Sequence, residues 1–243
     1  LASLGVGEVA VYRPLRVAFF STGDELKSVG TSLGEGEIYD SNRYTLHGML
    51  ARLGCEVLDM GVVRDDPALL EKAFREAAAS ADVVVTSGGV SVGEADFVKD
   101  LMGKLGEVVF WKIAMRPGRP LAYGRIQGAH FFGLPGNPVS VMVTFYQFVR
   151  EALLTLMGVD PLPPAPAFPA TCTARLRKAP GRPEFQRGVR ERAADGAWTV
   201  RPTGDQGSGI LKSMTEANCF ILLGESVGSV EAGSVVPVQP REG

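Results

Sequence analysis

The chain alternates between short, unbroken apolar runs and longer segments in which apolar residues return every three or four positions. Leu15 to Phe20 and Ala81 to Thr86 are runs of the first kind, and continuity without alternation predicts parallel strands covered on both faces. Segments of the second kind carry Leu46, Met49, Leu50 and Leu53, then Leu69, Leu70, Ala73, Phe74 and Ala77, then Phe97, Leu101 and Leu105, the spacing of amphipathic helices. Further strands are predicted over 56–60, 107–113, 120–123 and 129–133, and a long helix runs from Pro138 to Met157. Strands and helices in this order predict an α/β fold, doubly wound, with a mostly parallel sheet.

The texture changes after Asp160. Residues 161–169 are Pro-rich and semi-rigid, and beyond them short β-like runs over 170–176, 184–190, 198–201, 219–223 and 235–238 are joined by Gly-rich turns. These predict a small all-β barrel domain. The expected organisation is a linker over 1–14, an α/β domain over 15–160, a Pro-rich linker over 161–169 and a barrel domain over 170–243. Leu1 stands in mid-pattern, with neither Met nor signal-peptide regions, so the natural start is expected upstream.

Composition narrows the function classes. The 243 residues allow a medium domain plus a small one, and a formal net charge of -2 argues against a nucleic-acid surface and confines any anion site to a local cluster of Lys and Arg. Cys55, Cys172 and Cys219 have no metal-ligand or disulfide spacing, which suits interior packing in a reducing cytoplasm. The apolar run around 139–157 is broken by Gln147, Arg150 and Glu151, so a buried helix is expected in place of a membrane span.

Candidate chemistry gathers where predicted strands end. Ser87-Gly88-Gly89 lies between a strand and a helix, the geometry that presents backbone N–H groups and a positive helix end to phosphate. Glu94 stands where a P-loop needs Lys, and Val90 stands where a dinucleotide fingerprint needs Gly, so neither motif applies. Glu94 and Asp96 remain as carboxylates for a divalent cation or an N–H donor, or as acids that solvate a helix start. Thr22-Gly23-Asp24-Glu25 repeats the pattern after the first strand, with Asp24 and Glu25 readable equally as turn formers. Asp66 with Pro67 caps a helix, which leaves Asp65 without a structural reason. Lys112, Arg116 and Arg119, punctuated by Pro117, form the densest basic knot on the chain. Pro135 and Pro138 bracket Gly136-Asn137, with Asn137 the expected cap of the long helix. His47 and His130 read as structural or surface residues, and Arg187, within the barrel alone, as a packing or surface residue.

Taken together, Ser21 to Leu26, Ile38 to Arg43, Arg64 to Pro67, Ser87 to Asp96, Lys112 to Pro120, Leu134 to Pro138, Glu184 to Gly188 and Gly207 to Gly209 resemble, in order, the motifs of the molybdopterin molybdenumtransferase family, which includes MoeA and the gephyrin E-domain. The resemblance implies a molybdopterin-binding α/β domain followed by a small β-barrel, and homodimers in which N-terminal domains absent here help build the partner's cleft. It implies insertion of molybdate into adenylylated molybdopterin with release of AMP and help from Mg2+, or, as the alternative, a non-catalytic pterin-binding or scaffold module. Contact with a molybdopterin adenylyltransferase would follow, and tungstate-handling relatives share the motifs. Matching positions imply Glu25, Asp65, Asp96, Lys112 and Arg116 as catalytic residues, with Glu25 and Asp96 on the metal. Thr22, Gly23, Ser87, Gly88, Gly89, Pro117, Pro135, Pro138, Arg187 and Ser208 would bind substrate. Arg116 and Arg119 stand where the family often has Lys, so a planar fork replaces a point charge.

Overall fold

β1 (Arg16–Thr22) is buried from its second residue to its last, and the larger sheet is built around it. The computed structural model describes residues 1–89 and 95–241, without the side chains of residues 95–97, 99 and 111. After β1 come a small parallel pair, β2 (Leu26–Lys27) and β3 (Ile38–Tyr39), then α1 (Ser41–Arg52), β4 (Glu56–Val63), α2 (Pro67–Ser80) and β5 (Val83–Ser87). The domain continues through α3 (Ala95–Leu105), β6 (Gly106–Lys112), β7 (Pro120–Ile126) and β8 (Ala129–Leu134). It ends in one long helical stretch, α4 (Pro138–Thr144), a π-helical turn at Phe145–Val149 and α5 (Arg150–Leu156).

The described residues form a six-stranded sheet in the order β4-β1-β5-β8-β7-β6. β1 runs parallel to β4 and β5, and β5 runs parallel to β8, whereas β7 is antiparallel to both of its neighbours. Two reversals restore direction, so β6 points the same way as the parallel strands. The carboxyl ends of β4, β1, β5, β8 and β6 therefore share one rim. Because β1 has β4 on one side and β5 on the other, the connections diverge at β1, the topological switch point where open α/β sheets form a crevice.

Period-two alternation inside the apolar runs divides the core into two layers. Val17, Phe19, Val83, Val85 and Phe132 face α1 and the long helical stretch, while Ala18, Phe20, Val84 and Phe131 face α2 and α3. The stretch Pro138–Leu156 is long and apolar enough to cross a bilayer by length and composition, yet Val139, Val143, Phe145 and Leu153 lie in the first of these layers. Caps explain where helices start. Asp40 Oδ1 accepts from the Arg43 amide at 3.1 Å, and Asp66 Oδ1 accepts from Ala68 and Leu69 at 2.9 Å, ahead of Pro67. Asn137 departs from expectation: its side chain makes no cap bond, and the Ser208 carbonyl instead accepts the Val139 amide at 3.1 Å.

The second domain is a closed barrel, β10-β11-β9-β13-β12, made of β9 (Phe168–Cys172), β10 (Glu184–Arg192), β11 (Trp198–Pro202), β12 (Cys219–Leu223) and β13 (Val235–Pro240). β12 pairs back onto β10, so the sheet has no free edge. α6 (Leu211–Glu216), absent from the sequence reading, is a short turn of helix without a side-chain cap. Its Met214, with Phe220 of β12, is buried in the core of the α/β domain. Gln147 Nε2 also donates to Gln239 Oε1 at 2.9 Å across the same boundary.

Phe74 tests the second layer of the core. Its ring meets Phe20 and Phe131 edge-on at centroid separations of 5.1 Å and 5.5 Å. Phe74→Ala is expected to lower the unfolding free energy by about 3–5 kcal/mol in urea titrations; a loss below about 1 kcal/mol is incompatible with that packing.

Candidate functional site

At the switch point the loops after β1 and β5 touch. Gly88 and Gly89 have φ of +90° and +68°, and a Cβ on Gly88 would stand 2.4 Å from the Thr22 carbonyl oxygen. Only glycine fits both the conformation and the approach. The Gly88 amide donates to the Leu134 carbonyl at 3.1 Å, which draws the loop after β8 alongside. Asn42, in the first turn of α1 and 8% exposed, ties these loops together: Nδ2 donates to Ser87 Oγ at 2.8 Å and to the Gly136 carbonyl at 2.7 Å. Since a carbonyl only accepts, this contact fixes the amide's orientation. Among the described residues, Asn42 Oδ1 is left buried without a partner, as are Ser21 Oγ and Thr22 Oγ1. Buried polar atoms without partners are uncommon, and three lie at this crevice; the others among the described residues are Asp40 Oδ2 and, in the barrel domain, Arg190 Nε and Arg241 Nε.

One end of the rim is acidic. Glu25 folds back so that Oε2 lies 2.7 Å from where a Cβ on Gly23 would be, and Asp24 Oδ1 accepts the Asp65 amide at 3.3 Å. Burial lifts the Asp65 carboxyl above the usual aspartate range, and the neighbouring charges of Asp24 and Glu25 lift it further. A cavity of about 480 Å³ adjoins this group, lined by Asp24, Lys27, Thr31, Glu37 and Arg64 among others. Lys27 is paired with Glu37 at 3.0 Å.

The other end is basic. Lys112, at the end of β6, and Arg116 and Arg119, on the segment between β6 and β7, are exposed, and the Ile113 amide closes that segment by donating to the Arg119 carbonyl at 2.9 Å. Arg116 is anchored by its main chain to the barrel: its amide donates to Pro183 at 3.0 Å and its carbonyl accepts from Phe185 at 2.9 Å. Behind it lies Arg187, 1% exposed, with Nε donating to Ser213 Oγ and Nη2 to the Gly207 carbonyl, both at 3.0 Å. Burial draws the Arg187 guanidinium down to about 10; Glu184 and Asp205 oppose that fall and Arg116 adds to it. Ser208 follows directly, at the start of α4 beside Pro138.

Thus Glu25 and Asp65 stand at one end of the rim and Lys112, Arg116 and Pro117 at the other. Thr22, Gly23, Ser87, Gly88, Gly89, Pro135 and Pro138 lie between them, and Arg187 and Ser208 meet the basic end from the barrel. From β1 to β6 is four strand spacings, about 19 Å. Glu94 and the Asp96 side chain lie outside the described residues. Among those described, no three His, Cys, Asp or Glu side chains come together as a metal cage. Sequence reasoning missed Asn42, whose place in a helix's first turn reads as capping, and Asp205, which acts on Arg187 only once the barrel closes.

Two substitutions probe these contacts. Asn42→Asp puts a carboxylate against the Gly136 carbonyl and is expected to destabilise the protein by about 1–3 kcal/mol at neutral pH in urea titrations; no change would mean that the bridge carries no weight. Asp65→Asn works in the opposite direction. A carboxyl whose folded pKa is raised opposes folding once pH climbs past its ordinary value of 3.8. The variant should therefore melt higher than the parent at neutral pH and lose that advantage below 3.8, as followed by calorimetry.

The sequence model of the probable molybdopterin binding domain matches residues 18–155, and that of the MoeA C-terminal region, domain IV, matches residues 169–240. Molybdopterin molybdenumtransferase of Haemophilus influenzae is 49% identical over 99% of this chain and 59% of its own length. Molybdopterin molybdenumtransferase 2 of Mycobacterium tuberculosis is 37% identical over 98% of this chain, again covering 59% of the relative. The crystal structure of the molybdopterin biosynthesis MoeA protein of Pyrococcus horikoshii superposes with a TM-score of 0.80 at 33% identity, over 95% of this chain and 55% of that one. The chain thus spans 59% of the length of these curated relatives. Sheet, barrel and sequence agree: the chain belongs to the molybdopterin-binding domain family, in the MoeA arrangement with domain IV following.

Proposed function

We propose that the chain carries out the metal-insertion chemistry of molybdenum cofactor biosynthesis, taking adenylylated molybdopterin and molybdate and releasing AMP. The observation that carries this reading is a single rim with carboxylates at one end and, at the other, cations without a partner among the described residues, on strands four spacings or about 19 Å apart. That span suits a pterin nucleotide better than a lone small anion. The names of the relatives support the same reading.

In this reading Thr22, Gly23, Ser87, Gly88 and Gly89 offer backbone donors and close walls to the substrate, while Pro117, Pro135 and Pro138 shape the crevice. Lys112 and Arg116 neutralise the charge that builds on the phosphoanhydride and on molybdate. Arg187 uses Nε and Nη2 on Ser213 and Gly207, which leaves Nη1 to meet the oxyanion beside Ser208. Glu25 and Asp65 accept N–H groups from the pterin ring. Glu25, whose carboxylate folds back over Gly23, would together with Asp96 hold Mg2+, an ion that is bound through one or two carboxylates plus substrate phosphates and needs no protein cage. When bound, Mg2+ would supply charge neutralisation at the phosphates. Catalysis then rests on positioning and electrostatics, without a covalent nucleophile. The same reading carries a homodimer in the longer protein, contact with a molybdopterin adenylyltransferase, no nucleic-acid or membrane partner, and a cytoplasmic location.

The test is AMP release, followed chromatographically, from adenylylated molybdopterin with molybdate and Mg2+. Lys112→Ala and Arg116→Ala should each lower it by about 100-fold or more, with the melting temperature unchanged because both side chains are exposed. Unaltered release removes these residues from the chemistry. Pterin binding without any release by the parent chain favours the non-catalytic binding module.

A further inference from the structure

A second cleft, of about 940 Å³, opens on the barrel side of Arg116. It is lined by Arg116 from the α/β domain and, from the barrel, by Arg175, Arg177, Lys178, Glu184 and Asp205 among others. Basic residues outnumber acidic ones here, on a chain whose formal net charge is -2. The cations differ in what they already hold. Lys178 Nζ is buried and donates to the carbonyls of Ala179, Glu225 and Val227, at 3.2, 3.3 and 2.7 Å, which makes it a clip between two loops. Arg175 pairs with Glu231 at 3.1 Å. Among the described residues, neither Arg116 nor Arg177 has a side-chain hydrogen bond or an acidic partner, although both line the cleft.

The acids are accounted for in the same way. Glu184, 7% exposed, accepts from Gln186 Nε2 at 3.0 Å, and Gln186 Nε2 also donates to the Arg177 carbonyl at 2.8 Å. Asp205 Oδ1 accepts the Gly207 amide at 2.8 Å. Both carboxylates act on the buried Arg187 guanidinium. Glu184 is therefore answered from within the wall, whereas Asp205 is exposed at the cleft with Arg175, Arg116 and Arg177, of which Arg116 and Arg177 are the cations without a partner among the described residues. The chain Arg177 carbonyl, Gln186, Glu184 and the Arg116 main chain fixes one arginine's backbone relative to the other.

We infer that this cleft is an outer oxyanion site, at which Arg177 captures a tetrahedral dianion of the molybdate class and passes it to Arg116, the residue shared with the basic end of the rim. The inference rests on the reading of Arg116 given under Proposed function. It adds a residue, Arg177, that this reading does not use, and a direction of approach from the barrel side. Electrostatic capture of this kind weakens steeply with added salt.

Calorimetric titration of the purified chain with sodium molybdate, at low and high ionic strength, tests it. Arg177→Glu should weaken molybdate binding at least tenfold at low salt and flatten its salt dependence, while Arg177→Lys retains most of the affinity. Circular dichroism should show an unchanged fold, since Arg177 is exposed. Sulfate and phosphate titrations separate a site for molybdate-class dianions from one for phosphate: phosphate bound more tightly than molybdate contradicts the assignment. Parent-like molybdate binding by Arg177→Glu overturns the outer site. If Arg116→Ala also binds like the parent, the oxyanion role of Arg116 fails as well, so the two failures are told apart.

Discussion

Two main-chain hydrogen bonds join the peptide of Arg116 to the start of β10, one from its amide to Pro183 and one to its carbonyl from Phe185. They form a parallel bridge between Arg116 and Glu184, an inter-domain strand contact one residue pair long. Without it the basic segment between β6 and β7 would be an ordinary exposed loop, with two arginines and little to fix them. With it, Arg116 has a defined position relative to Arg187, to Ser208 and to the cleft at the barrel mouth. The bridge itself is short, but it is backed by apolar contact: Phe185, Met214 and Phe220 pack with the core of the α/β domain. Burial of those groups supplies the stability, and the hydrogen bonds supply the register.

The rim is organised by a different constraint, steric rather than polar. Thr22 and the Gly88-Gly89 pair are in contact so close that a side chain on either glycine would collide. That contact closes the floor of the crevice between its charged ends, so a ligand there lies across backbone and not in a deep hole. It also explains why opposite charges coexist on one edge without cancelling. At about 19 Å they are separated by roughly two Debye lengths at physiological ionic strength, and each end keeps its own electrostatic character.

Much of this architecture can be read from the chain, because its cause is local. Val83, Val84 and Val85 are continuous because their strand is covered on both faces, and Asp66 with Pro67 announces α2 through capping chemistry alone. That several polar loops share a rim follows from strand direction once a mostly parallel sheet is accepted. What the chain conceals depends on closure. Arg187 looks like a surface or packing residue within a β run, and only the closed barrel makes it a buried brace for residues 205–207. Asn137 has the right residue type for a cap, but Ser208 supplies an acceptor from the other domain and the side chain is not used. The π-helical turn at Phe145–Val149 and the short α6 have no periodicity long enough to betray them.

The groups gathered at the rim and the bridge also share a thermodynamic character that sequence cannot display. Asp65 is held where burial and two neighbouring acids disfavour its charge, Arg187 where burial disfavours its own. Among the described residues, Asn42, Thr22 and Ser21 each keep a buried polar atom without a partner. Any one of these would be a modest local cost in a protein whose total stability is only about 5–15 kcal/mol. They lie on one edge of the sheet and at the boundary with the barrel, while the core layers around Phe74 and Phe19 are closely packed. Asn42 Oδ1 and Thr22 Oγ1 are sealed from solvent, so a ligand in the crevice meets the walls that these side chains support, and the strain it can relieve directly is the disfavoured charge of Asp65. Free energy withheld from the fold at such an edge is free energy that a ligand bound there can recover.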